Sequence, residues 1–101
     1  MNMPASVKVG PHVYSIVRKS SSVMKNNLGL CDVDSLQIWI KQKMRKSKCQ
    51  EILLHELLHS TVHPTSNNGD TMDEEKFVTV SAPVLLGVLR DNPDLVEYLT
   101  K

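Results

Sequence analysis

The 101-residue chain has too little cysteine for a disulfide framework: Cys31 and Cys49 are its only two. It also has no long hydrophobic run. No stretch approaches about 18 apolar residues, so no membrane span is predicted. The first ten residues lack the apolar core and cleavage pattern of a signal peptide. An excess of one charge is missing too. Twelve Lys or Arg stand against eleven Asp or Glu, a formal charge of +1, which argues against nucleic acid as the main partner. These absences point to an intracellular, cytoplasmic protein with reduced thiols. What is present is ordinary globular composition, 41% hydrophobic and 23% charged, in a length that holds one small core. A single domain over residues 1–101 is expected.

Local patterning places strands first and helices after. Residues 7–18 are rich in β-branched side chains and interrupted by Gly10-Pro11, which predicts two short strands joined by a turn or bulge. Residues 23–31 are read as a further strand. Leu36, Ile38 and Ile40 alternate as a half-buried strand requires, with Trp39 on the opposite face. Five basic residues in 41–48 read as a solvated loop, with an acidic-partner patch as the less favoured reading. Ser47-Lys48-Cys49-Gln50 has capping-box spacing, and an apolar helix follows to about Val62, where Pro64 ends it. Residues 64–70, with Ser66, Asn67, Asn68 and Gly69, are read as a polar loop. A second helix starts after Thr71 or Met72, with Pro83 kinking or breaking it, and a short helix closes the chain over 94–100. The fold class is α+β: a short antiparallel β-meander, then helices.

The chemistry lies in His55-Glu56-Leu57-Leu58-His59. Residues four apart share one face of a helix, so both imidazoles reach one Zn²⁺ at about 2.0–2.1 Å. Glu56 follows the first ligand by about 100° of rotation. That sets it beside the metal as a general base rather than on it. Burying two imidazoles and a carboxylate without partners costs several kcal/mol, and a metal removes that cost. A third ligand is expected from the second helix. Glu74 shares a stripe with Phe77, Ser81 and Val84; Glu75, on a stripe with Val78, Ala82 and Leu85, is the rival, followed by Asp70, Asp73 and His63. His63 reads more simply as a polar residue closing the first helix. Tyr14, Tyr98 and His63 are the candidate oxyanion donors.

Taken with the Glu74-Glu75 pair opening an apolar helix and the later Arg90-Asp91-Asn92-Pro93, this motif resembles the small phage-type zincin metallopeptidases, relatives of the ImmA/IrrE-type peptidases. The resemblance runs over roughly residues 34–99. It implies a zincin-like fold and zinc held by His55, His59 and Glu74. It further implies Glu56 as general base, and hydrolysis of a peptide or protein substrate in a bacterial or phage-infected cell. The chain departs from the larger relatives by lacking E-x-x-A-N-x-F-A, having Glu74-x-x-Phe77-Val78 instead, and by placing Pro83 in that helix. In such folds the strand before the motif helix lines the cleft, so residues 36–40 are expected to hold an extended peptide. The alternative is a non-catalytic interaction module of the same fold stabilised by zinc.

Overall fold

The computed structural model describes residues 2–62 and 74–101. It opens with a hairpin of β1 (Ser6–Val9) and β2 (His12–Lys19). Gly10 takes φ +59 in the two-residue turn, and Pro11 fixes a negative φ after it, the order a type II′ turn demands. A single helical turn, α1 (Ser21–Met24), leads to β3 (Gly29–Asp32) and β4 (Gln37–Lys41). Three longer helices follow: α2 (Lys46–Val62), α3 (Glu74–Asp91) and α4 (Pro93–Thr100). The class is α+β, as the order of patterns predicts.

The sheet is not the expected antiparallel meander. Its order is β1-β2-β4-β3, and β2 pairs with β4 in parallel, Ile16 opposite Ile38. β3 folds back antiparallel on the other edge of β4. Parallel neighbours need a long connection; residues 20–36 supply it, with α1 and β3 inside it. The strand read over 23–31 shortens because the Ser20 carbonyl accepts from the N–H of Val23 and of Met24, at 3.1 and 2.9 Å, curling that segment into helix. Leu36 leaves β4 for the preceding turn, at φ 57. The carboxylate of Asp32 organises this turn, accepting from the N–H of Asp34 and Ser35.

Ile38 and Ile40, fully buried, meet Leu53 and Leu57 of α2, Val88 of α3, and Leu95 and Tyr98 of α4 in one core on one face of the sheet. The capping box does not form. α2 begins at Lys46, with the Cys49 N–H bonded to the Arg45 carbonyl, so Ser47 is already inside the helix. Gln50 donates instead to the Tyr98 carbonyl at 2.6 Å, tying α2 to α4. α3 runs through Pro83 without a break; Pro83 and Thr79, whose carbonyl lacks the usual donor there, are both exposed. Asn92 closes the β1 edge as a surrogate strand. Its Oδ1 accepts from the Lys8 N–H at 2.9 Å and its Nδ2 donates to the Lys8 carbonyl at 2.8 Å, while Asp91 pairs with Lys8 Nζ at 3.2 Å.

Two glycines test this packing with opposite signs. A Cβ at Gly29 would stand 2.5 Å from Ile52 Cγ2 and 3.0 Å from Glu56 Oε2, whereas one at Gly87, inside α3, meets nothing within 4 Å. Gly29→Ala is expected to destabilise by about 1–3 kcal/mol through overpacking. Gly87→Ala is expected to stabilise by about 0.5–1 kcal/mol through backbone entropy. Urea unfolding of both variants reads the difference.

Candidate metal centre

α2 packs with Cys49, Ile52, Leu53, Glu56, Leu57 and Ser60 toward the protein, the spacing of one helical stripe. Glu56 therefore occupies a core-facing position, 7% exposed. A carboxylate at such a position is costly. The imidazoles, in contrast, are not buried as expected: they lie on the solvent flank of the helix, with the His55 side chain 61% exposed. One turn apart, their rings meet edge to face at 4.9 Å between centroids.

Their Nε2 atoms converge to 3.2 Å. Two nitrogens bound to one tetrahedral zinc at about 2.0–2.1 Å stand about 3.3–3.4 Å apart, so the pair fits a shared ion with little adjustment. Glu56 Oε2 lies 4.0 Å from His55 Nε2, beside the point at which the two rings aim. All three residues line an open cleft of about 360 Å³ with Gly29, Leu30, Cys31 and Val33. On its other side, His55, Leu58, His59 and Val62 form a hollow of about 180 Å³ with Phe77 of α3. The N-terminal turns of α3 thus stand next to the histidine pair.

Among the described residues no set of three metal-ligating side chains gathers at one point. Glu74 is the first residue of α3, one turn before Phe77 and two before the buried Ser81. Glu75 is exposed, and Val78 and Ala82 on its stripe are exposed as well. His63, Asp70 and Asp73, the loop over 64–70 and the start of α3 proposed at Thr71 or Met72 lie outside the described residues. Neither tyrosine lines this cleft. Tyr14 borders a separate cavity of about 220 Å³ with Ser60 and Thr61, and Tyr98 is buried beside Gln50 in α4.

The strand expected to hold a peptide is also corrected. Residues 37–41 sit inside the sheet, with both edges paired, because β3 returns alongside them. The free edge next to the histidines belongs to β3. The Lys41 N–H bonds the Leu28 carbonyl, so Leu28, Leu30 and Asp32 are the residues bonded to β4, and the N–H and C=O of Gly29 and Cys31 point outward. The sequence reading placed a strand over 23–31 but gave it no part in the site; the signal for that part was Gly29, whose missing side chain permits α2 to approach.

Cys31 is the other residue that the sequence left unassigned. Its thiol is pushed up to about 11, first by burial and then by the charges of Glu56 and Asp32. Its thiolate fraction near neutral pH is therefore roughly a hundredfold below that of an ordinary thiol. In metal-free protein, Glu56→Gln removes one raising charge, lowers the Cys31 pKa and is expected to speed its alkylation severalfold. Peptide mapping that separates Cys31 from Cys49 measures this, and an unchanged rate contradicts the proximity of the two groups. Comparison with protein-family models, with curated proteins and with solved structures finds no match for this chain.

Proposed function

We propose that this protein is a zinc-dependent peptide hydrolase. The observation that carries the reading is the convergence of His55 and His59 Nε2 to 3.2 Å at the mouth of an open cleft, with the buried Glu56 carboxylate alongside. His55 and His59 would hold the ion, and Glu74 is the proposed third ligand. The stripe that continues from position 74 supports that choice over Glu75, since Ser81 and Val88 on it are buried. Zinc, when bound, polarises a carbonyl and lowers the pKa of a water toward about 7.

The chain's own groups supply the remainder. Glu56 sits where it takes the proton of the attacking water and returns it to the leaving amine. Burial holds that carboxylate in one place while its oxygen faces the cleft. The outward N–H and C=O groups of Gly29 and Cys31 offer an extended peptide a strand to pair with. Phe77 and Leu58 line an apolar hollow beside the histidines, suited to a substrate side chain. The exposure of His55 favours this reading over a purely structural zinc, whose four positions are closed by protein.

With zinc-reconstituted protein and a broad peptide library, Glu56→Gln is expected to keep zinc stoichiometry and to lower kcat by about 10²–10⁴-fold. His59→Ala is expected to lose zinc. Turnover retained in the Glu56 variant removes it as the base; zinc retained in the His59 variant removes the site.

A further inference from the structure

The sheet has a second face, and its composition is not that of a solvated surface. The longer helices all join the core on the Ile38 and Ile40 side. On the opposite side the register sets Val17, Trp39 and Leu30 in one row across three strands. The next row is Lys19 and Lys41, with Leu28 beside Lys41. Leu28 and Leu30 are 36% and 38% exposed. Trp39 is held along the strand by its indole N–H, which donates to Gln37 Oε1 at 2.8 Å, and Lys19 Nζ stands 4.6 Å over its ring.

Charge at this end of the sheet is one-sided. Parallel pairing of β2 with β4 carries Lys19 to Lys41 on this face, with Lys43 and Arg45 following in the loop. Arg18 turns to the helix side, where it donates to the Cys49 thiol, and Lys46 and Lys48 belong to α2. Lys48 is paired with Glu51, but Lys41, Lys43, Arg45 and Lys46 have no acidic partner among the described residues. Lys19 and Lys41 are direct cross-strand neighbours, a like-charge pairing that weakens a sheet. An overall charge of +1 conceals this segregation.

We propose that this face is a docking surface for an acidic protein segment carrying at least one large apolar side chain. The cations select the partner's charge, and the row of Val17, Trp39 and Leu30 supplies the apolar anchor, with a tryptophan at its centre. A nucleic acid fits less well. Base stacking uses successive aromatic faces; the row has one, Trp39, and its other members are aliphatic. Val17, Trp39, Lys19 and Lys41 lie on the face away from the histidine pair, and only Leu30, on the edge strand, borders both this surface and the cleft, so the surface does not depend on the chain being a hydrolase.

Trp39, the only tryptophan, reports binding directly. Titration of the full chain with a synthetic amphipathic peptide of Glu, Leu and Phe is expected to shift Trp39 emission to the blue and to weaken as salt is raised. The same peptide with Lys in place of Glu should not bind. Paired charge reversal, Lys19→Glu with Lys41→Glu, is expected to weaken binding by about tenfold or more, and Leu30→Ser to weaken it without changing its salt dependence. Lys101→Glu serves as the remote control. The proposal is overturned if the Glu and Lys peptides bind equally, if the acidic peptide does not bind, if oligothymidylate binds more tightly and loses affinity in the same variants, or if the free chain dimerises through this face.

Discussion

Helix α2 lies against β3 so closely that a Cβ at position 29 would press on the side chains of Ile52 and Glu56. The site geometry follows from that contact. Ile52 and Glu56, one turn apart, both reach the strand at Gly29, which fixes the rotation of the helix about its axis. With Leu53 and Leu57 driven into the core by Ile38 and Ile40, the i and i+4 positions at 55 and 59 can only fall on the flank that overlooks the β3 edge. A bulkier residue at position 29 would separate helix from strand and move the buried carboxylate away from the imidazoles it accompanies.

Much of the architecture could be read from period and punctuation. Gly10-Pro11 marked the hairpin, alternation marked Ile38 and Ile40 as core, and the histidine spacing placed both rings on one helical face. What could not be read was non-local. Nothing in residues 12–19 states that their partner is 37–41 in parallel rather than the next strand along. That choice depends on β3 returning to the outer edge, through a turn organised by Asp32 and a positive φ at Leu36. The capping box failed for a related reason: Gln50 has a long-range acceptor in Tyr98 that outcompetes a local one. The burial of the pair was misjudged because apolar residues surround it on all sides of the sequence, yet Leu54 is exposed along with His55 while Glu56 is not.

Asn92 shows how a motif gains meaning from the fold. As sequence, Arg90-Asp91-Asn92-Pro93 carries no statement of what it contacts. In the structure, its asparagine amide satisfies the N–H and carbonyl of Lys8, and its aspartate meets the same lysine's ammonium. It blunts the β1 edge, leaving the β3 edge at the other side of the sheet open beside the histidines. The sheet is thereby made asymmetric, one edge sealed and one available. The same parallel pairing that puts β4 in the interior also assembles the basic end, so one topological choice shapes both the cleft and the opposite face.

X-ray absorption of the zinc-loaded protein reads the ligands of the ion itself. One zinc per chain is expected, with two imidazole nitrogens at about 2.0–2.1 Å and the remaining positions filled by oxygen. Absence of stoichiometric zinc, a single imidazole, or a sulfur shell from Cys31 would contradict this assignment.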